Sequence, residues 1–406
     1  MTKALSRGEF VALTALLISL AAMSIDTMLP ALGQIGVELG VKNANDVQLI
    51  VSAMFLGLAF AQLVFGPLSD GLGRKPAIYA GLVLFLIGSV LCIVANSFTM
   101  LLVGRALQGA GAAGPRVVAV AIARDKYKGS DMASIMSMVM AVFIIVPTLA
   151  PAIGQGILAL APWRAIFVVL LAQGALALLW FAYRQPETLP SAARLPLSPR
   201  RIGGAIVETC RSRTGFGYTI AAGLVMGSFL GYLSSAQQIF VDQYGVGTAF
   251  PVYFGSLALT LGAAALVNSR LVGRLGMRLL CWRALLGLAG LSVVFVPVAA
   301  AFDGDPPLSL LMAYLLPLFF CIGTLFGNFN ALAMEPLGHI AGTASAVIGS
   351  FTTFIGLGFG VAIGRAFDGT VMPLVVGFAG LGLGSLGVMV VVERKPPQKR
   401  TVGEET

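Results

Sequence analysis

The chain has 406 residues, of which 58% are hydrophobic and 11% charged, with a formal charge of +9. Apolar runs long enough to cross a bilayer recur along its whole length, and about 20 residues suffice for one crossing. These values exclude a soluble globular protein, and a transmembrane β-barrel would show short alternating segments instead.

The first apolar run lacks a small-residue cleavage site and reads as a retained span, not a signal peptide. Runs broken by Gly, Pro and charge give about twelve spans, centred near Leu20, Leu58, Leu86, Ala110, Ile145, Leu176, Phe229, Leu261, Gly290, Phe320, Gly356 and Gly382. The expected fold is an all-α polytopic membrane protein with twelve transmembrane helices in two six-helix pseudo-repeats. Residues 1–184 form an N-terminal six-helix bundle, 185–214 a linker broken by proline and arginine, and 215–406 a C-terminal six-helix bundle. "SDGLGRK" at 69–75 echoes "VGRLGMR" at 272–278, each between the second and third span of its half. Parallel six-span repeats are a transporter architecture, with the substrate site between the halves.

Lys and Arg crowd the termini, the linker and alternate loops, while the opposite loops hold Lys42, Arg164 and Arg365. The positive-inside rule then places both termini in the cytoplasm, and the net charge reflects topology, not nucleic acid. The four cysteines are scattered, with no disulfide framework and no metal spacing.

Ionisable residues within spans are few, and each is costly there. Asp26 lies ~9 Å from the midplane of span one on the outer side. It reads either as an interfacial helix-end residue before Pro30 or as a protonatable carboxylate in a central cavity. In span four, Arg105, Gln108, Ala112 and Arg116 share one helix face, spaced 3, 4 and 4, and a polar stripe on a membrane helix is expected to face the substrate cavity. Arg105 is expected at the depth of Asp26. Arg116, ~9 Å inward of the centre, reads as snorkelling to the inner interface or as a substrate or gate residue. Tyr232 and Ser235 fall near one face of span seven with Gln238 at its edge, and all three are expected to line the cavity, while Asp242 reads as a loop charge. Asn328 and Asn330 in span ten could line the second wall of the cavity. Gly356, Gly360 and Gly364 form a close-packing ridge in span eleven.

"GPLSDGLGRKP" at 66–76 joins spans two and three. Its glycines and prolines make a turn and its basic residues obey the positive-inside rule, but neither needs Asp70. The stretch resembles the loop between spans two and three of the major facilitator superfamily, G-x-x-x-D-x-x-G-R-[KR], and Gly66, Asp70, Gly73, Arg74 and Lys75 fill every position. "RALQGAG" (105–111) resembles the R-x-x-Q-G motif of span four. "VPTLAPAIGQ" (146–155) resembles the span-five motif of drug/proton antiporters, with Ala150 and Gln155 in place of usual glycines. "SIDTMLPAL" (24–32) and "ALAMEPLGHIAGTASA" (331–346) resemble the Bcr/CflA drug-resistance subfamily.

The resemblance implies that Asp70, Arg74 and Asp125 form a cytoplasmic gate holding the halves together in the outward-open state. It also implies that Asp26 couples transport to protons and that Arg105 modulates its proton release. The expected function is proton-coupled antiport that exports small amphipathic compounds by alternating access. The expected setting is a monomer in the bacterial inner membrane, with no nucleic-acid partner and no cofactor beyond the proton gradient. A dedicated metabolite exporter or a proton-coupled importer of the same fold is the alternative. An intramembrane enzyme lacks candidates: the only histidine, His339, sits in a loop, and no HExxH or aspartate pair occurs.

Overall fold

The computed structural model describes residues 5–194 and 198–394. Its elements are helical: α1 (Arg7–Asp26), α2 (Leu32–Glu38), α3 (Leu49–Leu72), α4 (Arg74–Ile93), α5 (Phe98–Lys126), α6 (Gly129–Leu158), α7 (Arg164–Arg184), α8 (Pro199–Arg211), α9 (Arg213–Gln237), α10 (Phe250–Leu275), α11 (Met277–Ala301), α12 (Leu308–Met334), α13 (Ala341–Arg365) and α14 (Met372–Glu393). Eleven segments are long and apolar enough to cross a membrane, with α2 continuing the first. The thirty-residue α6, apolar over Ile145–Leu160, makes the twelfth crossing. Helix α8 is short and carries the linker between α7 and α9.

Local chemistry sets several boundaries. Ser6, Ser97 and Ser212 cap α1, α5 and α9 by accepting the backbone N–H three residues on. Gly73 and Gly276 end α3 and α10 at φ of 111° and 77°, a region that only glycine enters cheaply. The two glycines lie at the same place in the two repeats and let α4 and α11 begin at once.

Within the first six spans, α5 is sandwiched between α3 and α4; within the last six, α9 packs along α13 and α14. Two seams join the halves, α3 against α13 and α6 against α10. We call the end where α1 begins and α14 finishes the terminus end, and the other the far end. Each half is tied near the terminus end by one glutamate. Glu9 of α1 accepts from Trp180 and Arg184 of α7, and Glu393 of α14 accepts from Tyr218 of α9 and Trp282 of α11.

Missing side chains let the spans approach. The glycine ridge of α13 lies on α9. A Cβ on Gly356 would fall 2.7 Å from Met226 Cγ, and one on Gly360 would fall 2.6 Å from Leu230 Cβ. The α3–α5 contact is tighter, since a Cβ on Gly109 would overlap the Met54 carbonyl. Such backbone-close packing replaces the hydrophobic drive that lipid cannot supply.

This packing yields a paired prediction. Gly109→Ala meets a backbone atom that cannot turn aside, so the purified protein should lose about 1–3 kcal/mol and melt earlier in detergent. Gly290→Ala has no atom within 4 Å of its new methyl and should melt no earlier than the parent. Equal melting of all three would deny that the α3–α5 approach sets stability.

Candidate functional site

Asp26 is the last residue of α1, where the helix gives way to a 3-10 turn containing Pro30. Its side chain is buried, and among the described residues no hydrogen bond or ion pair reaches it. The neighbouring hydroxyls of Ser24 and Thr27 are also buried without a hydrogen-bond partner. Across the seam between the halves, Tyr232 of α9 is close enough to sense the Asp26 charge. The Tyr232 hydroxyl is buried with no hydrogen-bond partner among the described residues, and its ring stacks on Phe254 at 5.8 Å and meets Phe319 edge-on at 4.7 Å. One acid, three idle hydroxyls and an aromatic wall can exchange a proton and hold a small ligand with a few polar contacts.

Arg105 is wholly buried but is not joined to Asp26 by any bond among the described residues. Its Nε donates to the Ile50 carbonyl at 3.3 Å and its Nη1 to Gln108 Oε1 at 2.8 Å, while the guanidinium lies 5.9 Å from the Phe167 ring centre. Gln108 in turn donates to Ser89 Oγ at 2.8 Å. Gln108 and Ala112 are both fully buried. The sequence reading put them on a cavity wall. The structure instead spends the Gln108 amide on fixing Arg105 and on tying α5 to α4. Arg116 stands apart from this set: it is only partly buried and makes no hydrogen bond or ion pair among the described residues.

The other expected cavity residues divide. Tyr232 belongs with Asp26, as above. Ser235 is turned onto its own helix, donating to the Gly231 carbonyl at 2.8 Å. Asn328 is buried and exchanges hydrogen bonds with Asn268 of α10. Asn330 is exposed. Two residues apart on a helix, they point to nearly opposite sides, so the pair does not share one wall.

Gln238 belongs to a clasp at the far end. It donates to Asn45 Oδ1 at 2.8 Å and accepts from Gln48. Asn45 also donates to the carbonyls of Arg365 and Phe367 at 3.0 and 2.7 Å, and Asp46 pairs with Arg365 at 3.1 Å. Gln238 opens a π-helical turn, Gln238–Gln243, a device that often marks functional bends. Beside it lies a cavity of ≈ 320 Å³ lined by α2, α9 and the segment between α2 and α3. Asn45, Asp46 and Gln48 escaped the sequence reading because polar residues at a span end look like any loop.

At the terminus end the structure gathers Asp70, Arg74 and Asp125. Arg74 Nη1 donates to Asp70 Oδ1 at 2.6 Å and to Ser69 Oγ at 2.9 Å, and its Nε donates to Asp125 Oδ2 at 2.9 Å. All three belong to the first six spans, yet Asp70 Oδ2 lies 3.7 Å from where a Cβ on Gly342 would stand, at the first turn of α13. A carboxylate there faces the positive end of a helix dipole. Glu187 completes the cluster, accepting from the backbone N–H groups of Arg74, Lys75, Thr188 and Leu189 at 2.9–3.0 Å. Partial burial opposes the Glu187 charge, but these four donors outweigh it and hold the carboxyl below the usual range. Nothing in the linker composition marked Glu187. Its signal is spatial, since α4 starts with free N–H groups that need an acceptor.

The two seams differ along their length. The α3–α13 seam is in contact from Gln48 against Gly364 to Asp70 against Gly342. The α6–α10 seam closes at Gly255, where a Cβ would stand 3.1 Å from the Thr148 carbonyl. On that same face of α10, Leu266, Ser269 and Gly273 are exposed toward the terminus end. The far end is thus clasped, while the α10 face that meets α6 at Gly255 is uncovered toward the terminus end.

Residues 13–361 match the family model for the Major Facilitator Superfamily. The chain belongs to this superfamily. It is therefore a multi-pass membrane transporter and not an enzyme. As a major facilitator protein it is 31% identical over 350 residues to the uncharacterized MFS-type transporter YdgK of Bacillus subtilis, covering 85% of each chain. It is 28% identical to the bicyclomycin resistance protein homolog of Haemophilus influenzae, covering 90% of this chain and 91% of that one. It is 29% identical to the multidrug resistance protein MdtL of Escherichia coli, covering 82% of each. These relatives fit the drug/proton antiporter group expected from the motifs. Among solved structures, the nucleoside transporter NupG aligns with a TM-score of 0.73 at 13% identity, covering 96% of this chain and all of that one. The human organic anion transporter MFSD10 (TETRAN) aligns with a TM-score of 0.68 at 18% identity, covering 95% of this chain and all of that one. The two share the major facilitator fold.

Two outcomes follow from the site's periphery. Glu187 has a depressed carboxyl, so its contribution is present above the ordinary range near pH 4.3 and is lost as pH falls through its lowered value. Glu187→Gln should therefore melt below the parent at pH 7, with the gap closing as both are acidified; a gap that widens in acid would contradict the assignment. Arg365→Gln removes the ion pair of the far-end clasp, and a cysteine placed at Ser234 should then label faster from that side. Unaltered labelling would mean the amide bonds hold the clasp alone.

Proposed function

We propose that this transporter exports small amphipathic compounds in exchange for protons, by alternating access, as a monomer in a bacterial inner membrane with both termini in the cytoplasm. The observation that carries the reading is Asp26, a buried carboxylate with neither a hydrogen bond nor a cation among the described residues, beside Tyr232 of the opposite half. A charge inside a span costs about 2.5–3.5 kcal/mol or more, which favours a proton or a bound ligand on that carboxylate. The resistance proteins among the relatives support export and a broad substrate range. The bias of Lys and Arg supports the orientation.

In this cycle substrate arrives through the α6–α10 opening and displaces the proton of Asp26. The far-end clasp then breaks, and a proton from outside reloads Asp26 as substrate leaves. Arg105, whose Nη2 is buried without a partner, is poised to favour the ionised carboxylate when α5 and α1 shift. Asp70, Arg74 and Asp125 act as the cytoplasmic gate, with Asp70 facing the start of α13 across the α3–α13 seam.

The test is flux in proteoliposomes under an imposed pH gradient, with ethidium as probe. The parent should move ethidium uphill against protons, and Asp26→Asn should abolish uphill flux while keeping exchange without a gradient. Full uphill flux in Asp26→Asn would remove this residue from coupling. Gradient-independent flux in the parent would remove antiport.

A further inference from the structure

Arg116 is the one feature of the α5 face that neither the coupling site nor the gates absorb. It lies eleven residues beyond Arg105 toward the terminus end, about 16 Å along the helix. Its face is an interior one. Arg105 and Ala112 on that face are fully buried, as is Ala123 two turns below. Ala119, in the next turn toward the terminus end, is 2% exposed. Arg116 thus rises from an interior face and not from the lipid-facing surface on which side chains snorkel. Arg116 is itself only partly buried, and Val117 and Val120 beside it are partly exposed as well, so open space adjoins it.

Among the described residues no counterion is supplied. The interior acid Asp26 lies near the far-end third of α9 beside Tyr232, and Asp70 and Asp125 are both taken by Arg74. Arg116 makes no hydrogen bond or ion pair among the described residues, whereas Arg105 is held by a carbonyl, an amide and an aromatic ring. An arginine left free at this depth, with a planar fork of donors, is a ready receptor for a carboxylate or a similar planar anion.

We propose that Arg116 is an anion subsite of the substrate cavity, so that the transporter takes compounds carrying a carboxylate or comparable acidic group. The anionic end docks on Arg116, and the apolar remainder extends toward the aromatic wall of Tyr232, Phe254 and Phe319. The subsite is met first from the terminus end. This deepens the export reading and rests on it only for the direction of travel.

The test is equilibrium binding to purified protein in detergent, which needs no gradient and so separates this inference from the export reading. Fluorescein serves as the anionic probe and ethidium as the cationic one. Arg116→Gln should weaken fluorescein at least tenfold, about 1.4 kcal/mol, and leave ethidium within twofold. Arg116→Lys, which keeps the charge, should recover most of the loss and reports on folding. The proposal is overturned if the parent does not bind fluorescein, if Arg116→Gln leaves fluorescein binding unchanged, or if it weakens both probes alike. Loss of proton-driven flux with selective fluorescein binding intact would remove antiport and leave the anion subsite standing.

Discussion

A charge carried into hydrocarbon must be met by an opposite charge, by dipoles, by water or by a proton, and the interior of this transporter is organised around that demand. Arg105 is held by Ile50, Gln108 and Phe167, with Gln108 itself anchored by Ser89, and only its Nη2 is buried with no hydrogen-bond partner among the described residues. Arg74 is met by two aspartates and a serine. Asp26 and Arg116 are not met among the described residues. They lie on different helices, with no ion pair between them among the described residues. Satisfied charges hold helices together, whereas an unsatisfied one keeps its capacity to take a proton or an opposite charge.

The same economy shapes the connections between the halves. Polar bonds gather at the far end, where Asn45, Asp46 and Gln48 reach Gln238, Arg365 and Phe367. Glycines along the α3–α13 seam, Gly66, Gly342, Gly349 and Gly364, each face a side chain of the other half and let the two helices come close. The clasp is assembled from individually modest bonds, each worth about 0.5–1.5 kcal/mol. It can thus hold one state and still yield to a ligand with differential affinity. The terminus-end cluster differs in kind, because Glu187 ties the start of α4 to the linker and Thr188 of that linker donates to Asp125. The linker and the Asp70–Arg74–Asp125 cluster are one hydrogen-bonded unit, so displacement of the linker should be felt at Asp70.

Much was legible in the amino-acid order. Twelve apolar runs, the bias of Lys and Arg, and the fully matched loop around Asp70 specified a two-fold helical transporter, because crossing a bilayer leaves the backbone only helix or closed barrel. The glycines of α13, and the equivalence of the turns at Gly73 and Gly276, could likewise be read from spacing, since both depend on local geometry alone. Helical spacing also put Arg105, Gln108, Ala112 and Arg116 on one face, but it could not say what that face meets. Only the packed structure showed that Gln108 serves Arg105, that Asn328 is spent on Asn268, that Gln238 belongs to the far-end clasp, and that Glu187 caps α4. Each of these depends on partners remote in sequence, and periodicity carries no information about which helix lies opposite. Whether a buried charge is already paired was therefore decided by the tertiary structure, while the presence of that charge in a span was decided by the sequence.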